Sequence, residues 1–181
     1  PGNNAPDLPR ATAVGLPVRR RVDRWTPPPR PPFDPMIGRT CRVGLLDAST
    51  HASDIHDANL LDVEHRNWTY LPYGPFAERE HYAAWVTSVA GKPDPLFHAI
   101  VDAATGRAVG VASYLRVDPP AGSIEVGHLN YSPLLQRSAA APEAQSRMMQ
   151  RPFDRGYRPA GVKGRALPAP ARAPARPPGA R

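Results

Sequence analysis

The run Ile124-Glu125-Val126-Gly127-His128-Leu129-Asn130-Tyr131-Ser132-Pro133-Leu134-Leu135-Gln136-Arg137-Ser138-Ala139-Ala140-Ala141-Pro142-Glu143-Ala144 decides the fold. Its first half alternates. Ile124, Val126 and His128 fall on one face of an extended chain and Glu125, Gly127 and Leu129 on the other, the period-two pattern of a strand. Ser132-Pro133 ends it, because proline has no N–H for a ladder and restricts the residue before it. Three alanines, Pro142 and Glu143 then read as the first turn of a helix. Pro142 suits the first helical position, and Glu143 complements the positive end of the helix dipole. Strand, small-residue loop and helix N-terminus together make a seat for an anion, since backbone N–H groups point outward there and alanine lets a phosphate approach.

The flanking sequence supplies the other elements. Arg39 to Leu46 alternates as a first strand, and Asp47-Ala48-Ser49-Thr50 offers caps for a helix over His51 to Val63. An aromatic loop follows with Trp68, Tyr70, Tyr73 and Phe76, either a packed lid or a pocket wall. A second helix is expected over Ala77 to Ala90, where Tyr82, Trp85, Val86 and Val89 recur at helical spacing. Phe97–Val101 and Arg107–Val117 pair as a hairpin across Asp102-Ala103-Ala104-Thr105-Gly106. A third helix over Pro142 to Arg155 carries Pro152, which should kink or shorten it. The order of strand, two helices, three strands and helix predicts a mixed α/β domain over residues 36–158, with a mostly antiparallel sheet and helices on both faces.

Charge is distributed unevenly along the 181 residues. Residues 1–35 hold six Arg against three Asp, residues 36–154 hold ten basic against thirteen acidic groups, and residues 155–181 hold seven basic groups and no acid. The net charge of +7 therefore belongs to the flanks, and the middle is mildly acidic. A sequence-reading nucleic-acid surface needs basic charge on the fold itself, so no specific nucleic-acid partner is expected. The single cysteine, Cys41, excludes an internal disulfide and a Cys-based zinc site, and the six histidines lack metal-ligand spacing. No metal is expected. No apolar run approaches 18 residues, so no membrane span is expected, and a reducing cytoplasm is the expected compartment. Nothing here fixes an oligomeric state.

The central run, with Arg66-Asn67-Trp68-Thr69-Tyr70-Leu71-Pro72-Tyr73-Gly74-Pro75-Phe76 and Gly106-Arg107-Ala108-Val109-Gly110-Val111-Ala112-Ser113-Tyr114-Leu115-Arg116, resembles the GNAT superfamily of acyl-CoA N-acyltransferases. The similar branch is that of ribosomal-protein alanine acetyltransferases. The family motif Gln/Arg-x-x-Gly-x-Gly/Ala is matched by Gln136-Arg137-Ser138-Ala139-Ala140-Ala141, with Ala139 in place of the first glycine. The resemblance covers Trp25 to Tyr157. It implies acetyl-CoA as acyl donor and a primary amine as acceptor, at a protein N-terminus, on an amino acid or on a small molecule. Leu129, Asn130 and Tyr131 would lie along the pantetheine arm. Gln136, Arg137, Ser138, Ala139, Ala140 and Ala141 would hold the pyrophosphate. Trp68, Tyr70, Tyr73 and Tyr114 would line the acceptor pocket. Glu125, beside the expected thioester, would be the general base; its alternative is a salt-bridge partner. His128 is the lesser candidate, because parity places it opposite Glu125 and a structural histidine is its simpler reading.

Both ends depart from the family pattern. Residues 1–35 read as a Pro-rich, largely disordered leader, either a polyproline segment or, the preferred reading, a strap laid over the domain surface by Trp25 and Phe33. Beyond Pro159 the resemblance lapses. Pro168 and Ala171 stand where the family has asparagine and serine, and Pro174, Pro177 and Pro178 occupy the would-be helix. Residues 159–181 are thus expected to be a disordered Pro/Ala/Arg tail and the C-terminal strands incomplete. Two other functions stay open: a catalytically impaired remnant that at most binds acetyl-CoA, and a Pro/Arg-tailed interaction protein.

Overall fold

The structure is a computed structural model and describes residues 25–162. One six-stranded sheet runs in chain order: β1 (Met36–Ile37), β2 (Cys41–Leu45), β3 (Leu96–Asp102), β4 (Ala108–Asp118), β5 (Ser123–Tyr131) and β6 (Arg158–Val162). The first five strands are antiparallel neighbours, and β6 lies parallel to β5. A parallel pair needs a crossover. Here it is helix α3 (Ala140–Asp154). The expected mixed, mostly antiparallel sheet is the observed one.

Helices cover both faces because both faces of the central strands are apolar. On one face α3 packs Ala144 and Met148 against Ile100, Ala112, Tyr114, Ile124 and Val126. On the other, α1 (Ala48–Leu60) and α2 (Arg79–Val89) bring Ile55, Tyr82 and Val86 against Phe97, Ala99 and Val111. Helix α1 begins where capping chemistry says it should. Asp47 is the N-cap, and its Oδ1 accepts from the Thr50 amide at 2.9 Å.

Glu143 has a larger part than dipole complement. Its carboxylate accepts from the amides of Arg39 (2.9 Å) and Thr40 (2.7 Å) and from the Thr40 hydroxyl (2.5 Å), fastening α3 to the β1–β2 turn. These hydrogen bonds, the Thr40 hydroxyl's foremost, lower its pKa to about 2. Glycine at position 38 leaves the carboxylate room, because a Cβ there would lie 2.6 Å from the Glu143 Cδ and displace it from these donors.

Some expectations are corrected and others refined. Helix α3 starts at Ala140, so Pro142 is the third helical residue; the first-turn N–H groups have no intrahelical acceptor, and proline is tolerated there too. Helix α3 carries Pro152 inside it and runs to Asp154, one residue short of the expected Arg155. The chain does not leave the sheet at Pro159: β6 pairs Arg158 with Ser123, Pro159 with Ile124, Gly161 with Glu125 and Val162 with Val126. A proline is admissible on a strand with one unpaired edge. Residues 25–35 lie along the domain, with Trp25 Nε1 donating to the Pro120 carbonyl at 2.9 Å and Arg151 donating to the carbonyls of Asp34 and Pro35. Trp25 is a fastener, whereas Phe33 is 61 % exposed. The readings for residues 1–24 and 163–181 lie outside the described residues.

Candidate active site

The site is built on two irregularities in β5. Its ladder with β4 joins Gly127 to Ser113 and Asn130 to Val111, so two residues of β5, His128 and Leu129, oppose the single residue Ala112. This is a β-bulge, which bends the strand and re-aims a side chain. His128 takes the left-handed conformation (φ 49) at that point. The alternation is reset: Leu129 packs with the α3-side core beside Ile124 and Val126, and His128 turns to the α1/α2 side. Its ring stacks on Tyr73 (centroids 5.6 Å, 19°) and lies 5.2 Å from Phe97. The parity that set His128 opposite Glu125 therefore does not hold; both lie on one face.

The second irregularity is that, among the described residues, β6 pairs only with Ser123–Val126, the first half of β5. Beside the second half of β5 a cleft of about 1020 Å³ opens, walled by Tyr70, Leu71 and Pro72, by His128 and Leu129, and by the start of α3. Tyr131, Gln136, Arg137 and Ala141 line its far end. In the loop before α3, Arg137 has φ 60. Left-handed residues in such loops aim successive amides into a concavity that suits anions. The amides of Arg137, Ala139, Ala140 and Ala141 find no backbone or side-chain acceptor among the described residues. Gln136 is a tether: its Nε2 donates to Asn67 Oδ1 (2.6 Å) and to the Tyr131 carbonyl (2.7 Å). The loop is thereby fixed to the 3-10 turn Arg66–Trp68.

Of the residues singled out in sequence, Tyr70, Leu129, Tyr131, Gln136, Arg137 and Ala141 meet in this cleft. Ser138, Ala139 and Ala140 line a shallower recess beside Arg39 and Thr40. Asn130 is 2 % exposed, outside the cleft lining, and neither side-chain polar atom has a partner. Trp68 is buried in an aromatic cluster with Tyr73, Phe76 and Tyr82. Tyr73 is packed flat on Trp85 (4.4 Å) behind His128. The aromatic loop is thus a lid at Trp68 and Tyr73 and a wall at Tyr70.

Tyr114 is corrected outright. It is wholly buried in the α3-side core, with its hydroxyl 2.8 Å from the Met148 carbonyl. Glu125 is also placed differently: its carboxylate accepts from Arg116 Nη1 at 2.5 Å and lines a separate recess with Asp94 and Asp118. The salt-bridge alternative is the observed one.

Two cleft features escaped the sequence reading: the tethering role of Gln136, and Arg116, which lines both the cleft and the Glu125 recess. His128, the lesser candidate in sequence, lines the cleft. Burial, and then the charge of Arg116, lower the His128 pKa, so the ring is neutral at neutral pH. Burial raises the Tyr131 phenol to about 12, and its hydroxyl donates to Gln145 Oε1 at 3.1 Å. Among the described residues no group of three or more His, Cys, Asp or Glu could hold a metal ion, and no helix is long and apolar enough to cross a membrane.

A mixed sheet with a cleft beside an amide-rich helix start defines an α/β domain, and known structures share its fold. A GCN5-related N-acetyltransferase from Brucella melitensis superposes with a TM-score of 0.72 at 36 % identity, over 76 % of this chain and 62 % of that one. A GNAT-family protein from Chromobacterium violaceum gives 0.69 at 26 % identity, over 79 % and 71 %. A ribosomal L7/L12 alpha-N-protein acetyltransferase shares the fold alone, at 0.53 and 16 % identity over 67 % and 65 %. These likenesses support a GNAT superfamily assignment for the chain. It spans under two thirds of the length of the Brucella structure. No family model matches the sequence, and no curated protein matches it with significance.

Proposed function

We propose that this chain transfers an acetyl group from acetyl-CoA to a primary amine. The observation that carries the reading is the set of amides without acceptors, among the described residues, at Arg137 and Ala139–Ala141, two of them, Arg137 and Ala141, on residues that line the cleft beside the second half of β5. An anion of diphosphate type suits such donors, and the Arg137 guanidinium adds charge beside them. Leu129 and Tyr131 give the slot an apolar wall for a pantetheine arm, and Tyr70, Leu71 and Pro72 give the opposite end a wall for the acceptor. Binding in such a slot supplies orientation, which alone lowers acyl-transfer barriers by several kcal/mol (~7–11 in favourable cases).

The family relationship supports acetyl transfer; the acceptor is a proposal at the level of amine alone. The impaired-remnant reading rested on the absence of a fifth core strand after Tyr157, and β6 pairs with β5 as far as Val162. The interaction-protein reading rests on residues outside those described.

The test is acetyl-CoA-dependent thiol release with a panel of primary amines: free amino acids, peptides with N-terminal alanine or serine, spermidine and aromatic amines. Release stimulated by at least one amine is expected. Thiol release no faster than buffer with every amine would defeat the reading.

A further inference from the structure

The geometry points to His128 as the group that takes the proton from the attacking amine, an assignment that rests on the acetyl-transfer reading above. Three observations meet in this one side chain. It lines the cleft, it occupies the bulge at which β5 departs from its ladder, and neither ring nitrogen has a hydrogen-bond partner among the described residues. The bulge is what makes the assignment possible. An unbroken strand would have buried this ring under α3 with Ile124 and Val126; the extra residue turns it to the acceptor wall beside Tyr70 and Leu71.

The ring is held by stacking and not by polar contacts. Tyr73 lies nearly parallel to it, and Tyr73 is itself fixed between Trp85 and Phe97. Its imidazole nitrogens are left for a ligand. Around it the charged and titratable neighbours are Arg116 from β4, Tyr73 from the aromatic loop, and the cleft residues Arg66, Tyr70, Tyr131 and Arg137. Among the described residues no carboxylate lines the cleft with it. Burial, and then the charge of Arg116, favour the neutral ring, the form that accepts a proton. Glu125, the rival, is occupied by Arg116 in another recess.

The proton balance is complete without a further reactant. An alkylammonium loses one proton to the imidazole and thence to solvent. The neutral amine attacks the thioester carbonyl, forming the C–N bond. The adduct gives its second N–H proton to the imidazole, and the C–S bond breaks with the electron pair on sulfur. The imidazolium then returns that proton to the thiolate. Each turnover releases one proton to solvent.

The test uses the whole chain, acetyl-CoA and the fastest amine of the panel. His128→Asn tolerates the left-handed backbone but cannot take a proton. It should lower kcat by about 100-fold or more, abolish the limb of the kcat–pH profile that inflects below the ordinary imidazole value near 6.5, and leave CoA affinity by calorimetry within about twofold. His128→Gly should regain activity when free imidazole is added, which a packing role would not produce. Wild-type activity with His128→Asn within threefold and the same acidic limb would overturn the assignment, as would loss of that limb in Glu125→Gln while His128→Asn keeps it. An inactive wild type would instead defeat the acetyl-transfer reading itself.

Discussion

The Tyr114 hydroxyl donates to the Met148 carbonyl across 2.8 Å, from the middle of β4 to the last turns of α3. In an unbroken helix that carbonyl would accept from the amide four residues on, but that residue is Pro152, which has none. A sheet side chain thus supplies the hydrogen bond that the helix lacks. This is why Pro152 can sit inside α3, and why Tyr114 belongs to the core.

Removing that hydroxyl should destabilise the fold and spare ligand binding. Tyr114→Phe leaves a buried carbonyl without its donor, at a cost of about 1–3 kcal/mol. In a Pro152→Ala background the helix regains its amide, so the same Tyr114→Phe change should cost less. Urea unfolding of the four proteins measures this coupling; equal costs in both backgrounds would mean that the hydroxyl and Pro152 are unrelated.

Acid should release α3 from the β1–β2 turn. The Glu143 pKa is lowered from 4.5 to about 2, chiefly by the Thr40 and Arg39 donors. A depressed carboxylate contributes stability that is present above 4.5 and is lost as pH falls through about 2. Glu143→Gln should therefore melt below wild type at neutral pH, with the gap closing between about pH 4.5 and 2. A gap independent of pH across that window would show that the charge has no part in the fastening.

The order of elements was legible in the sequence because periodicity and caps are local. Asp47 as helix cap, the Asp102–Gly106 turn and the strand at Ile124 all depend on residues close along the chain. What stayed hidden was set by partners distant in sequence. The bulge at His128 depends on the register against Ser113 and Val111, and strict alternation carried through it gives the wrong face. The Glu125 carboxylate meets Arg116 from the neighbouring strand, and Tyr114 meets Met148 in α3. Local signals misled at Pro159 and Gly161, where breakers of an isolated strand are overruled by pairing with β5. Within the site, Arg137, Ala141, Leu129 and Tyr131 were readable through the family motif; His128 was readable only with the register in hand.

Strand β6 should contribute to stability. A chain ending at Tyr157 loses the parallel ladder with Ser123–Val126 and exposes the edge of β5. It should melt well below a chain ending at Val162, since each ~1 kcal/mol lost lowers Tm by roughly 2–8 °C. Thermal unfolding of the two chains decides the matter; coincident curves would show that β6 adds nothing.

The most direct measurement is calorimetric titration with CoA of the wild type, Arg137→Glu and Arg79→Glu. Arg137 lines the cleft beside its unpartnered amides, whereas Arg79 on α2 pairs with Asp57 at 2.7 Å, outside the cleft lining. If the loop before α3 holds the diphosphate, a carboxylate at position 137 repels the ligand, and affinity falls by about tenfold or more, ~1.4 kcal/mol. Arg79→Glu should bind as the wild type does. No binding by the wild type, or equal losses in the two variants, would contradict the cleft as a CoA site.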